Sequence, residues 1–359
     1  ADMLAAVDAA HAASGPWRGS APRERSEILR RAYEAMTANR DRIARLISQE
    51  MGKSLADSAA EVAYAADFFR WFAQEAVRIG GELRTAPAGS HRILTLREPI
   101  GVCLLVTPWN FPAAMAARKI GPALAAGCTI VIKPAAETPL TTMYLAALLA
   151  DAGLPPGVLN VVPSSRAAEV VGAALRDPRV RKLSFTGSTA VGKALLRQAA
   201  DTVTATSMEL GGNDPFLVLA DADLDEAVDG AMLAKMRNGG QACTAANRFL
   251  VHESVAADFA RRLADRMGAL VQGPGTDPAT ELGPMVSAKA VDGMAALVEE
   301  ALAGGTLALL GGARQDGPGF YYPATVLADV APDAPIVGRE IFGPIAPIVA
   351  VADDDEAVR

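Results

Sequence analysis

Val102-Cys103-Leu104-Leu105-Val106-Thr107-Pro108 is an unbroken apolar run halted by a proline. Shorter, largely apolar runs recur at 129–132 and 158–162, and a mixed run at 182–185, with a helical stretch between each pair. Strands apolar at every position are covered on both faces. Alternated with helices, they predict an α/β fold with a parallel sheet and helices on both sides. Turn residues mark each step: Pro108, Pro112, Lys133-Pro134, Pro155-Pro156-Gly157 and Gly187-Ser188.

Upstream, residues 23–39, 41–51 and 57–79 are periodic and nearly free of Gly and Pro, which predicts helices. After Gly80-Gly81, the alternating stretch 83–96 suits an exposed β-ribbon. Downstream, a second βα series begins around Glu209-Leu210-Gly211-Gly212. It has a strand at 216–219, a helix at 224–236 and a strand at 248–251. The junction divides the chain into residues 1–208, with the ribbon 83–97 inserted, and 209–359.

The 359 residues are 51% hydrophobic and 21% charged, a globular profile long enough for about two domains. A net charge of −7 argues against nucleic acid or an anionic membrane as partner. No apolar run reaches ~18 residues, so no membrane-spanning helix is expected. The start, Ala1-Asp2-Met3-Leu4, is helical in character and carries no signal peptide. Three cysteines without a pairing pattern fit a reducing cytoplasm. Three histidines without ligand spacing predict no metal site.

Two stretches carry chemistry. Arg237-Asn238-Gly239-Gly240-Gln241-Ala242-Cys243 sets one cysteine in a small-residue loop after a helix, where a thiolate is approachable. Cys103 and Cys128 sit in apolar runs and read as buried. Phe185-Thr186-Gly187-Ser188-Thr189-Ala190-Val191-Gly192-Lys193-Ala194 nearly spells a Walker motif, but Ala194 lacks the hydroxyl that holds Mg²⁺. What remains is a strand, a glycine turn and a helix N-terminus, which favours an anion such as a dinucleotide pyrophosphate. A plain βα turn fits that loop equally well.

Together with Thr107-Pro108-Trp109-Asn110-Phe111-Pro112, Lys133-Pro134, Glu209-Leu210-Gly211-Gly212 and Glu340-Ile341-Phe342-Gly343-Pro344, these stretches resemble the aldehyde dehydrogenase superfamily, in its motif order and over the whole chain. The chain is most similar to the bacterial succinate-semialdehyde dehydrogenases. That likeness rests on Ala113-Ala114-Met115 with Arg118-Lys119, on residues 121–128, and on Lys235-Met236-Arg237-Asn238. The resemblance implies a Rossmann-type dinucleotide-binding domain, an α/β catalytic domain and an oligomerisation ribbon.

The resemblance also implies oxidation of an aldehyde to an acid. Cys243 attacks the carbonyl. The Asn110 amide and the Cys243 N–H hold the oxyanion. Glu209 activates water against the thioester, and Lys119 supports the site electrostatically. Each has a plainer alternative. Asn110 shapes a turn, Lys119 is an ordinary helix lysine, and Glu209 is a surface carboxylate. The last fits poorly with neighbours Met208 and Leu210.

For the coenzyme, Lys133 takes the adenosine ribose, Gly187 and Ser188 the pyrophosphate, and Trp109 lines the groove with Thr107, Pro108 and Leu210. Glu340 takes the nicotinamide ribose, and Phe342 packs near the ring. NAD-preferring relatives often carry a glutamate where this chain has Ala136, so NADP is expected, with NAD as the alternative. Arg118, eight residues beyond Asn110, and Arg237, six before Cys243, match positions that bind the carboxylate of succinate semialdehyde. Alternatives are glutarate semialdehyde, an uncharged aldehyde, or an inactive homologue that binds coenzyme without turnover. A cytoplasmic homodimer or homotetramer is expected.

Two departures stand out. The resemblance implies a further C-terminal segment with the rest of the substrate pocket, and N-terminal lead-in strands. The sequence is then part of a longer protein or a truncated product, and a polypeptide of these 359 residues alone would expose sheet edge and apolar surface, be prone to aggregate and be expected to lack activity. Ala245 replaces the second cysteine that gives some relatives a disulfide switch.

Overall fold

Four helices lead the chain: α1 (Asp2–Gly19), α2 (Pro22–Ala38), α3 (Arg40–Met51) and α4 (Leu55–Ala76). A computed structural model describes all of residues 1–359. The exposed ribbon follows as strands β1 (Glu82–Thr85) and β2 (Arg92–Thr95), antiparallel with Leu83 opposite Leu94.

Next come β3 (Val102–Val106), α5 (Pro112–Ala125), β4 (Thr129–Lys133), α6 (Pro139–Asp151), β5 (Leu159–Val161), α7 (Ala167–Leu175), β6 (Val180–Thr186), α8 (Thr189–Ala200) and β7 (Ala205–Glu209). Strands β3 to β7 form a parallel sheet in the order β5-β4-β3-β6-β7. Alternate residues of β3 serve different faces. Val102, Leu104 and Val106 pack with Met3, Val7 and Ala10 of α1, while Cys103 and Leu105 pack with α2, α4 and α5. The sequence runs from β3 to β5 in one direction and returns to β6 on the other side of β3. This makes β3/β6 the switch point of the sheet, where ligands bind beyond the strand C-termini in folds of this kind.

A second sheet has the order β10-β11-β12-β9-β8, built from β8 (Asp214–Val218), α9 (Leu224–Met236), β9 (Ala246–His252), α10 (Glu253–Gly268), α11 (Ala288–Ala303), β10 (Leu307–Leu310), β11 (Thr325–Ala328), β12 (Ile345–Val351) and α12 (Asp354–Val358). Only β10 runs antiparallel to its neighbour. Helix α9 begins where the Asp223 side chain accepts the N–H groups of Asp225 and Glu226.

Contacts divide the chain into two units. The first is Ala1–Glu50 with Ala59–Leu210; the second is Met51–Ser58 with Gly211–Arg359. The excursion at Met51–Ser58 is absent from the sequence reading. Its physical basis is a glycine crossing. A Cβ on Gly275 or Gly283 would lie 2.2 or 2.0 Å from the Gly52 carbonyl oxygen, so only glycines let these backbones meet. No helix is long and apolar enough to cross a membrane.

Candidate active site and coenzyme edge

In the first unit, the C-terminal ends of four parallel strands carry the candidate residues. Thr107, Pro108, Trp109 and Asn110 follow β3, Lys133 ends β4 and Ala136 lies just beyond it, Gly187 and Ser188 follow β6, and Glu209 ends β7 with Leu210 after it. The register sets Val106 opposite both Lys133 and Phe185, and Thr186 opposite Glu209.

The turn after β6 is tight. A Cβ on Gly187 would sit 2.6 Å from the Phe185 ring, and the Gly187 N–H donates to the Glu209 carbonyl. The Ser188 hydroxyl accepts from Val191 N–H and caps α8. Leu210 packs over Gly192, where a Cβ would meet it at 2.5 Å. The Thr186 hydroxyl is buried at this turn and has no protein partner. A helix N-terminus, an orphaned hydroxyl and the Lys133 cation at the next strand but one fit a phosphate-bearing dinucleotide. Burial pushes the Lys133 ammonium below its ordinary range, and Glu137 partly opposes this. Ala136 is exposed.

Asn110 is buried just before α5. The helix starts with Pro112, which has no N–H to satisfy. The next two donors, Ala113 and Ala114, both give their N–H to buried Glu61. Lys119 is buried one turn further and donates to the Ser184 hydroxyl at 2.9 Å. Burial pushes its ammonium down to about 8, helped by Arg118 and Lys182 and opposed by Glu209. Arg118, Lys119, Lys182, Ser184, Ser207 and Glu209 line an open cavity of about 460 Å³. The Arg118 guanidinium also lies 5.7 Å from the Phe68 ring centre.

Glu209 is exposed, contrary to the reading of its neighbours as poor company for solvent. Met208 and Leu210 are half-buried while Glu209 faces out, because adjacent strand residues point to opposite faces and β7 is an edge strand.

In the second unit, the loop that carries Cys243 departs from α9 through a left-handed run: Asn238 at φ 56, Gly239 at 59 and Gly240 at 75. The run is buried, and Cys243 beyond it is half-buried. The Asn238 amide donates to the Gln241 carbonyl, and Gln241 Nε2 donates back to the Asn238 carbonyl. Gln241 Oε1 then accepts from Val286 N–H. Gly240 packs so close to the Gly343 carbonyl that a Cβ would stand 2.1 Å from it. The two glycine motifs around Cys243 and Phe342 therefore meet backbone to backbone. Arg237 is exposed and reaches the Thr244 hydroxyl at 3.3 Å.

Glu340 and Gly211-Gly212 also meet. A Cβ on Gly211 would lie 2.1 Å from Glu340 Oε2, and the Gly212 N–H bonds the carboxylate. Glu340 is exposed overall, yet partial shielding of its carboxylate, with Asp214 nearby, raises its pKa. A Cβ on Gly212 would meet the Cys243 carbonyl at 2.5 Å. Half-buried Phe342 holds φ 55, a strained setting for a bulky residue.

A family model described as the aldehyde dehydrogenase family matches residues 1–359. The chain belongs to the aldehyde dehydrogenase family. It is 55% identical to a succinate-semialdehyde dehydrogenase of Paenarthrobacter nicotinovorans, over 100% of this chain and 80% of that protein. It is 44% identical to a probable NADP(+) succinate-semialdehyde dehydrogenase of Sinorhizobium fredii, over 100% of this chain and 73% of that one. The crystal structure of succinate-semialdehyde dehydrogenase from Burkholderia pseudomallei superposes with a TM-score of 0.97 at 46% identity. It covers 99% of this chain and 74% of that one.

Several residues that hold these loops and helix ends were missed in the sequence. Asn247 donates to the Asn213 side chain and the Arg339 carbonyl, and its Oδ1 accepts from Ile341 N–H. Asn213 in turn donates to the Val337 carbonyl. The two amides clamp the loop that carries Glu340. Glu61 and Asp57 were missed as well. Each is a single polar residue whose partner lies far along the chain, so no local pattern marks it.

Proposed function

We propose that the chain oxidises succinate semialdehyde to succinate with reduction of NADP. The observation that carries this reading is the 55% identity to a succinate-semialdehyde dehydrogenase over the whole chain. The exposed Arg237 guanidinium at Thr244, next to Cys243, supports it, since a substrate with a carboxylate tail needs such a cation.

In this reading Cys243 Sγ adds to the aldehyde carbon, and the Asn110 amide and Cys243 N–H hold the oxyanion. Bound NADP would supply the hydride acceptor, and Cys243 would carry the substrate as an acyl thioester once it is oxidised. Glu209, solvent-exposed at a strand end, takes a proton from water as it attacks, and the acid leaves with the thiol restored. Gly187, Ser188 and Thr186 with the α8 N-terminus would hold the pyrophosphate, Lys133 the adenosine ribose and Glu340 the other ribose. Thr107, Pro108, Trp109, Leu210 and Phe342 would shape the groove. Arg118 joins Arg237 as a carboxylate ligand. Exposed Leu83 and Leu94, paired on the ribbon, suit contact with a second copy in a cytoplasmic homodimer or homotetramer.

Coenzyme absorbance with succinate semialdehyde against hexanal, each with NADP and with NAD, tests this. Preference for succinate semialdehyde with NADP is expected. Cys243→Ala should abolish turnover and keep coenzyme binding. Arg237→Ala should impair succinate semialdehyde and spare hexanal, and equal losses would remove its assigned role.

A further inference from the structure

Asp57 occupies the third position of α4, and Ser54 caps that helix. The Asp57 N–H donates to the Ser54 hydroxyl at 3.2 Å, and the Ser54 side chain also bonds the Asp57 carboxylate. Ser-x-x-Asp is a capping-box pattern, whose acid ordinarily turns back to the cap residue's own N–H. Here Oδ2 accepts the Asn238 N–H at 3.0 Å, across 181 residues of sequence.

Both partners are fixed. Asp57 lies on the Met51–Ser58 segment, which the Gly52 crossing with Gly275 and Gly283 pins into the second unit. Asn238 is where the chain leaves α9 for its three left-handed residues. Left-handed backbone is unfavourable for a non-glycine residue, though Asn bears it better than most. Asn238 is 1% exposed, so its N–H needs a protein acceptor. The charges that face Asp57 are Lys53, from its own segment, and Arg237, from the loop. Both favour the ionised carboxylate, while burial pulls the other way and leaves its pKa raised.

We propose that Asp57 is a positioning residue for Cys243: by holding the Asn238 N–H, its carboxylate fixes the left-handed run from which Cys243 is presented. This rests on the reading of Cys243 as the nucleophile.

The test compares Asp57→Ala and Asp57→Asn with Leu263→Ala, a core lesion on α10 in the same unit. The readouts are kcat with succinate semialdehyde, NADP affinity, thermal midpoint, and the rate of Cys243 alkylation by iodoacetamide. The other two cysteines are buried. Asp57→Ala should lower kcat and alkylation by about 10- to 100-fold with NADP affinity unchanged. Asp57→Asn, whose amide oxygen still accepts, should recover most of both. Leu263→Ala should lose stability without moving either. Asp57→Ser keeps a short polar side chain in the first turn but falls short of Asn238, so it serves the same comparison should the alanine variant not fold.

Wild-type kcat and alkylation in Asp57→Ala would overturn the proposal, as would equal losses in Leu263→Ala at matched stability. Retained turnover in Cys243→Ala overturns the nucleophile reading and this one together. Loss there with wild-type behaviour in Asp57→Ala overturns this one alone.

Discussion

Glu61 Oε1 accepts the Ala113 N–H at 2.8 Å, and the same oxygen takes Ala114 N–H at 3.1 Å. A buried carboxylate thus closes the N-terminus of α5, where the helix dipole favours negative charge. Removing it leaves two buried donors unsatisfied, at a cost of about 1–3 kcal/mol each. Glu61→Ala is therefore expected to lower the denaturant midpoint clearly, and Glu61→Gln less, because an amide oxygen still accepts. Asn110→Ala should do the opposite. In its proposed role as oxyanion donor, its loss would cut kcat by about 10²- to 10³-fold, with little change in midpoint. Parallel kcat and midpoint measurements on the three variants separate the roles.

The first sheet was legible because β3 is apolar at every position, β4 nearly so, and a proline or glycine follows each of β3, β4 and β6 within two residues. Helix Leu224–Met236 was legible because Asp223 caps it and glycines follow. Helix α4 runs Leu55–Ala76 where periodicity predicts 57–79, since the Ser54 cap starts it earlier and its last turn loosens before Gly80-Gly81. Strand β7 alternates and sits at an edge, so its short pattern did not stand out. The resemblance implied Cys243, Asn110 and Glu340 through local motifs. Glu61, Asp57, Asn213 and Asn247, which bond the backbone near them, act across long sequence separations that one sequence does not reveal.

Gly211 and Gly212 are adjacent, yet substitution should fail in two different ways. A Cβ on Gly211 strikes the Glu340 carboxylate, the far end of a flexible side chain. Gly211→Ala should push that carboxylate aside and weaken NADP binding by about tenfold, or ~1.4 kcal/mol, with the thermal midpoint nearly unchanged. A Cβ on Gly212 strikes the Cys243 carbonyl, which is backbone and cannot swing away. Gly212→Ala should shift Cys243, the proposed nucleophile, and lower kcat by about 10- to 100-fold, while NADP affinity holds. Fluorescence titration and steady-state kinetics on both variants decide the assignment.

Coenzyme choice should turn on residue 136. The exposed Ala136 lies three residues beyond buried Lys133 and places no carboxylate against a 2′-phosphate. Ala136→Glu would add a like charge to that phosphate and a hydrogen-bond acceptor for a free 2′-hydroxyl. A loss of at least about tenfold in kcat/KM with NADP is expected, equivalent to ~1.4 kcal/mol, and NAD should gain relative to it. If the NADP to NAD ratio stays put, the adenosine ribose is not held at the end of β4.

Lys235 gives the last expectation, and its sign follows from linkage. Its side chain is 0% exposed, its ammonium has no hydrogen-bond partner, and burial pushes it down to about 7 from 10.5. The unfolded chain keeps its proton up to about 10.5, so between the two values the unfolded state binds more protons. Stability therefore rises with pH across that window as far as this residue is concerned, and is lowest below it. Lys235→Met keeps much of the volume and removes the buried charge. The variant should be more stable near neutral pH by about 4 kcal/mol, and the gain should shrink toward pH ~10. Thermal or denaturant midpoints of both proteins at the two pH values check it. A gain that is constant with pH would mean that packing, not the buried ammonium, separates them.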